Sequence, residues 1–170
     1  MAFTSSSMFR AWTAAILGQG QTAAILPSGY AGLGQGADQV TVALFNNTGT
    51  PDKDAALTST GYNTGQWVTA NEVTGSGIWA AGGRDLTSKT ITNPATGVTM
   101  FDAADLAGAG TGTLTNVYGC LVYDNTIAVG TGGVADQGIC FNYFGGAQSV
   151  TSGTFTIVWN ANGIARITSS

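Results

Sequence analysis

The sequence predicts an all-β protein: a single-domain β-sandwich or jelly-roll-like fold with a short N-terminal helix and long Gly/Thr-rich loops. Short apolar runs alternate with polar residues at the period of two that places every second side chain on one face of a strand. Glycine is frequent, with 26 in 170 residues, and glycines separate many of these runs. Six to eight short strands joined by glycine-containing turns are typical of this fold class.

The N-terminal part of the chain predicts one short amphipathic helix and a flexible connection. Phe9 and Trp12 lie at helical spacing within residues 8–17, serines before this run can cap the helix, and a glycine after it can end it. The next stretch is rich in glycine and contains a proline, which is typical of a linker. We therefore divide the chain into residues 1–37, a helix and flexible arm, and residues 38–170, the β-sandwich domain.

Strands are predicted throughout the β-sandwich domain. They cover residues 39–45, 86–92, 98–101, 115–124, 138–144, 154–159 and 164–167. Asn93-Pro94 is expected to end the second strand and Gly145-Gly146 the fifth, while Asp102 can cap a single helical turn after the third. The Gly/Thr-rich residues 48–86 are expected to form a long loop that gains order by lying across a neighbouring molecule.

The closing stretch of the chain predicts a hairpin. Phe155, Ile157 and Trp159 alternate with other residues, so they share one face of a strand. Asn162-Gly163 tolerates positive φ and is followed at once by a second short run. Because a lone hairpin is marginally stable in water, it must pack on another sheet. The predicted core side chains are Val42, Leu44, Leu121, Phe155, Ile157 and Trp159.

The chain carries unusually few charges. Charged residues make up 8% of the sequence, compared with about a quarter in average proteins, and the formal net charge is -4. Weak charge repulsion favours a protein that is seated in an assembly. The five basic residues are scattered, which argues against nucleic acid as a partner. No apolar run reaches the roughly 18 residues of a transmembrane helix, so we expect no membrane partner either.

Few residues offer catalytic chemistry. Histidine is absent, which removes the usual general base, the Ser-His pair and most zinc and haem sites. Two carboxylate pairs, Asp102 with Asp105 and Glu72 with Asp85, are the remaining candidates for acid–base catalysis of the glycosidase type. A cap and a solvated carboxylate explain the first pair without chemistry. We therefore predict no enzyme activity, no metal and no cofactor.

Two cysteines, Cys120 and Cys140, lie on predicted strands that flank a glycine-rich loop. An antiparallel hairpin could bring them opposite each other as a disulfide, and the alternative is a pair of small buried thiols. Both alternatives stay open at the level of the sequence.

Aromatic residues are the candidates for contact surfaces. The candidate interface residues are Phe3, Phe9, Trp12, Trp67 and Trp79. They lie in the N-terminal segment or the Gly/Thr-rich loop, and aromatics in mobile arms are natural interface anchors. The alternative is that each of them covers the core of its own domain. Aromatics on strands can also stack on sugar rings, as in a carbohydrate-binding module.

Five short segments resemble a group of small virion proteins of tailed bacteriophages. They are Val40–Leu44, Leu86–Ile91, Phe101–Asp105, Val122–Asp124, and Ser152–Trp159 with Gly163-Ile164. In that group a strand of the type xVALxxS is followed by an LTxKT strand, an FDAxD turn and a terminal xGxFxIxW…GI hairpin. The similarity extends over residues 38–167, with gaps.

The resemblance implies a structural protein of the virion, a capsid decoration (cement) protein on the outer surface of the head. Such a protein is expected to form a homo-oligomer, a dimer or a trimer, and to bridge neighbouring major capsid proteins. Two alternatives come from other classes: a tail-associated or fibre module that binds a host receptor or glycan, and a small glycosidase.

Overall fold

The computed structural model describes residues 3–16, 33, 38–127 and 134–169. Within them the elements are β1 Ser7–Met8, α1 Arg10–Ile16, β2 Val40–Phe45, β3 Arg84–Asp85, β4 Thr90–Ala95, β5 Val98–Asp102, β6 Leu106–Ala107, β7 Gly112–Asp124, β8 Gln137–Gly153, β9 Thr156–Ile157 and β10 Ala165–Thr168. Two short 3-10 helices, Leu57–Ser59 and Thr69–Asn71, lie in the connection between β2 and β3. The all-β prediction is confirmed.

The strands form three antiparallel sheets. The largest has the order β1-β8-β7-β2-β3, the second has the order β10-β5-β4, and β6 pairs with β9 in the third. Buried side chains from all three sheets belong to one hydrophobic core. The domain is therefore a layered β structure around a single core.

Both faces of the five-stranded sheet are buried. Val42 pairs with Val122, which pairs with Cys140, so these three side chains share one face. The next row, Ala43, Leu121 and Phe141, lies on the opposite face, and all six residues are buried. A sheet that is buried on both faces needs a covering layer on each side.

Each face has its own covering layer. On the face of Phe141, the rings of Phe3, Phe9 and Trp67 make contact with it, so the N-terminal segment and the β2–β3 connection cover this side. On the face of Cys140, the nearby layer is the three-stranded sheet, since Cys140 and Ala165 of β10 line the same cleft.

The closing stretch does not form the predicted hairpin. β9 pairs with β6, and β10 pairs with β5, so the two runs belong to different sheets. The predicted turn is present, since the Gly163 N–H donates to the Asn160 carbonyl at 2.7 Å and Gly163 has a φ of +77°. The turn leads the chain from the two-stranded sheet to the three-stranded sheet. Each run forms its backbone hydrogen bonds with a strand that lies earlier in the sequence, β9 with β6 and β10 with β5.

Two predicted strand ends are wrong. Pro94 lies inside β4, which is tolerated because β4 is an edge strand and its pairing with β5 is irregular between Thr92 and Ala95. β8 continues through Gly145-Gly146 to Gly153, although the ladder shifts between Tyr143 and Gln148. Glycines at φ +79° and +148° allow the extra residues of this bulge to leave the ladder.

The predicted strand and helical turn between residues 86 and 106 are also corrected. Thr90–Ala95 forms β4, while Arg84–Asp85 forms a separate short strand on the other sheet. Asp102 ends β5, and the chain enters β6 at Leu106 without a helical turn. Pairing of β6 with β9 uses the backbone groups that a helical turn would have occupied.

The N-terminal segment belongs to the same core as the rest of the chain. β1 pairs with β8, and the Phe9 N–H donates to the Ile139 carbonyl at 3.0 Å. Residues 3–16 are thus an integral part of the domain that was predicted to begin at residue 38. Leu17, the last residue of the predicted helix, lies outside the described residues. So does the predicted flexible connection after it, apart from Leu33.

Candidate functional site

The five candidate interface residues are all buried in the protein's own core. Phe3, Phe9, Trp12, Trp67 and Trp79 have at most 2% of their surface exposed. The interface assignment is therefore corrected, because side chains that are buried inside the domain cannot anchor a partner. The five side chains instead belong to the core of their own domain, as the alternative interpretation stated.

Trp67 is the centre of an aromatic cluster that closes one face of the five-stranded sheet. Its ring centroid lies 5.1 Å from that of Phe45, 5.9 Å from Phe3 and Phe141, and 6.0 Å from Phe9. Most of these contacts are edge-to-face, the arrangement that aromatic quadrupoles favour. The β2–β3 connection, predicted to lie across a neighbour, instead places its tryptophan on the domain's own sheet.

The predicted core residues fall into two groups. Val42, Leu44, Leu121 and Ile157 are buried, whereas Phe155 and Trp159 are half-buried at the edge of the core. The Phe155 ring meets Trp79 edge-to-face at 6.0 Å. Trp159 donates its indole N–H to the Ala104 carbonyl at 3.1 Å, and its backbone N–H donates to Asp105 Oδ1 at 3.0 Å.

The candidate catalytic carboxylates do not form a common site. Asp105 receives the Trp159 N–H, and Asp85 accepts a hydrogen bond from Thr41 Oγ1 at 2.7 Å, so both have structural partners. Asp102 has a buried Oδ1 without a hydrogen-bond partner. Glu72 is held by a separate network beside β7. Among the described residues, no group of three or more His, Cys, Asp or Glu side chains is placed to bind a metal.

Glu72 organises a tyrosine pair next to the β2–β3 connection. Its two carboxylate oxygens accept the Tyr62 O–H at 2.7 Å and the Gly82 N–H at 2.8 Å, while the Tyr123 O–H donates to the Gly82 carbonyl at 2.7 Å. Tyr62 and Tyr123 stack at 5.1 Å. Burial raises the pKa of Glu72, and burial together with the Glu72 contact raises the pKa of Tyr62 to about 12. These groups tie the connection to the sheet.

Cys120 and Cys140 are free, buried thiols. Cys120 pairs with Asn142 and Cys140 pairs with Val122, so the two cysteines share one face of the sheet but are offset by two residues along the ladder rather than directly opposite each other. Burial raises the pKa of the Cys120 thiol to about 12 and also raises that of Cys140. Since the thiolate is the reactive form, these cysteines act as small core residues.

A buried pair of carboxyl groups was not predicted from the sequence. Asp38 and Asp124 are both buried where β2 and β7 lie side by side, and the Thr126 N–H donates to Asp124 Oδ1 at 2.9 Å. Lys89 Nζ donates to the backbone carbonyl of Asp38. Burial raises the pKa of Asp124, and the nearby Asp38 carboxyl raises it further. In the sequence, Asp124 follows an apolar run and precedes an asparagine, which indicates only a turn.

An open groove of about 510 Å³ lies between β8 and the segment that contains β9. Its aromatic lining residues are Tyr143, Phe144, Phe155 and Trp159, all of them half-buried. Its amide lining residues are Asn142, Gln148 and Asn160. No acidic or basic side chain lines this groove in the part of the chain that the structure describes. The β8 bulge, which brings Phe144 and Gln148 to the groove, has no signature in the sequence beyond its two glycines.

A second exposed region is the three-stranded sheet. All six residues of the edge strand β4 are exposed, and Ile91 and Ile167 expose 49% and 45% of their surface. Beside them is an apolar cleft of about 210 Å³, whose lining includes Trp12 and Phe101. This sheet therefore presents both an unpaired strand edge and accessible apolar side chains within the described chain.

No protein-family model matches the chain, and no curated protein or solved structure matches it either. Within the described residues, no helix has the length and hydropathy needed to cross a membrane.

Proposed function

We propose that this chain is a non-enzymatic structural protein of a virion, a capsid decoration (cement) protein on the outside of a phage head. It stabilises the head by bridging neighbouring major capsid proteins. The resemblance of residues 38–167 to small phage virion proteins supports the class. The low content of charged residues, 8%, supports a protein that works within an assembly.

The exposed three-stranded sheet is the observation that carries the proposal. An unpaired edge such as β4 can accept another strand, and exposed apolar side chains such as Ile91 and Ile167 favour contact with a partner. Pro94 and the irregular pairing near Ala95 limit uncontrolled pairing along this edge. In the proposal, a major capsid protein covers this sheet.

Stabilisation of the head follows from several modest contacts acting together. A homo-oligomer, a dimer or a trimer, presents one sheet surface from each copy, so that each assembly touches more than one capsid subunit. Linked contacts bind far more tightly than any one of them, because the second binding event is intramolecular. Rupture of the shell must then break several interfaces at once.

The proposal is tested on virions assembled with and without this protein. We expect particles without it to release DNA at a lower temperature or after a milder osmotic shock. A copy number comparable to that of the major capsid protein is expected as well. Unchanged DNA retention would remove the stabilising role, and only a few copies per particle would indicate a tail position.

The contact surface is tested by two substitutions, Ile91→Lys and Ile167→Lys. Both side chains are about half exposed, so lysine can be accommodated in the isolated protein while it disrupts an apolar contact. The matched control is Val158→Lys, since Val158 exposes 72% of its surface and lies outside this sheet. We expect the first two variants to lose particle binding and the control to keep it. Equal binding by all three would show that the sheet is not the contact surface.

A further inference from the structure

The groove between β8 and the β9 segment has a composition that is unlike the three-stranded sheet. It combines half-buried aromatic rings with amide side chains and lacks acidic or basic groups among its described lining residues. Its volume of about 510 Å³ lies in the range of roughly 300–1,000 Å³ that is usual for ligand clefts. These features define a class of ligand.

We propose that this groove binds a segment of an uncharged polysaccharide. A pyranose ring has an apolar face of C–H groups, which packs against the electron-rich face of an aromatic ring. Its hydroxyl groups both donate and accept hydrogen bonds, as do the side-chain amides of asparagine and glutamine. An ionic ligand would lose its hydration here without gaining an opposite charge.

The aromatic part of the groove is held in place by the fold. Trp159 is fixed at both its indole and its backbone N–H, by the Ala104 carbonyl at 3.1 Å and Asp105 Oδ1 at 3.0 Å. Phe155 rests on the buried Trp79 and lies 6.3 Å from Phe144. Little side-chain ordering is needed when a ligand binds to rings that are already positioned.

The amide part depends on the β8 bulge. Gln148 Nε2 donates to the Phe144 carbonyl at 3.2 Å, so the bulge positions the residues at its two ends relative to each other. On the other wall, Asn160 Oδ1 accepts the Asn162 N–H at 2.9 Å, and the Asn160 side chain is exposed to solvent. Donors and acceptors thus remain at both walls.

A second cleft adjoins the groove. The groove shares Ser6 and Asn142 with this cleft of about 400 Å³, which extends along β1 towards β10. The lining of this second cleft includes Arg166, whose guanidinium donates to Asn162 Oδ1 at 2.6 Å. Two neighbouring clefts on one surface suit an extended chain better than a small compact molecule. The ligand class is therefore an oligosaccharide rather than a single sugar.

Trp159 supplies a direct optical test. It is the one half-buried tryptophan of the four in the chain, since Trp12, Trp67 and Trp79 are buried. Acrylamide is therefore expected to quench mainly Trp159, and Trp159→Phe should remove the quenchable emission. The full chain is titrated with tetrasaccharides of glucose, galactose, mannose and N-acetylglucosamine. We expect at least one of them to protect Trp159 from acrylamide in a saturable manner.

Two groove variants and one control complete the test by calorimetric titration. We expect Phe144→Leu and Asn160→Ala to weaken binding of the protecting tetrasaccharide about tenfold or more. Ile167→Ala, an exposed position on the three-stranded sheet, should bind as the parent protein does. Thermal unfolding of each variant shows whether it is folded, and the protection experiment on the parent protein needs no variant.

Several outcomes would overturn the proposal. They are the absence of protection by all four tetrasaccharides, equal protection by a sulfated heparin tetrasaccharide, and binding by both groove variants as strong as that of the control. Protection by an uncharged proline-rich peptide alone would assign the groove to a protein ligand instead. Because binding is measured on the isolated protein, these outcomes are independent of the proposed role on the phage head.

Discussion

Replacing Trp67 by alanine tests whether this tryptophan stabilises the domain or binds a partner. The buried ring contacts four other aromatic rings with centroid distances of 5.1–6.0 Å. Removal of a buried aromatic side chain costs about 3–5 kcal/mol, because apolar burial is lost and a cavity remains. Favourable ring pairs contribute about 0.5–1.5 kcal/mol each beyond area burial, which places Trp67→Ala at the upper end of that range.

The magnitude is large compared with the total stability of a domain, about 5–15 kcal/mol. Urea unfolding followed by far-UV circular dichroism measures it, since the signal does not depend on the deleted tryptophan. Ile91→Ala is the matched control, because Ile91 is about half exposed and should cost less than about 1 kcal/mol. If Trp67→Ala were as stable as Ile91→Ala but no longer bound particles, the core assignment of Trp67 would be wrong and the interface assignment would return.

Three further predictions concern single positions. Trp159→Ala should lower the free energy of unfolding by about 1–2 kcal/mol, less than the loss of a fully buried tryptophan, because the Trp159 ring is half-buried. Urea unfolding measures the change, and a loss of stability larger than that of Trp67→Ala would contradict the half-buried assignment. Gly83→Ala should destabilise by about 2 kcal/mol or more, since Gly83 has a φ of +93° and a Cβ there would lie 2.1 Å from the Val42 carbonyl oxygen. The control Gly145→Ala, at φ +79° with no atom within 4 Å, should lose only about 1 kcal/mol in thermal unfolding. Asp124→Asn should become more stable relative to the parent as the pH rises above about 4. The raised pKa means that folded Asp124 keeps a proton that the unfolded chain releases. Relative to Asp124→Asn, the free energy of unfolding of the parent therefore falls by about 1.4 kcal/mol per pH unit up to the raised pKa and stays constant above it. Denaturation at a series of pH values measures this difference, and a constant difference would show that Asp124 titrates normally.

The candidate sites illustrate what a local pattern can predict. Trp67 and Trp79 stand among glycine, serine and threonine, which is the usual composition of a solvent-exposed loop, and nothing nearby shows that Phe45 or Val42 will lie against them. The groove could not be found in this way either. Its walls, β8 and the segment around Phe155, meet only because a bulge in β8 turns Phe144 towards the Phe155 ring.

The sequence alone determined the β character of the chain, its low charge, the lack of histidine chemistry and the positions of most long strands. These properties depend on composition and on the two-residue period, which are local. The tertiary structure decided which strands pair. Thr156–Ile157 and Ala165–Thr168 look like the arms of one hairpin, yet they pair with Leu106–Ala107 and Val98–Asp102. Backbone hydrogen bonds are the same for any partner strand, so the choice follows from which arrangement buries the most apolar surface in one core.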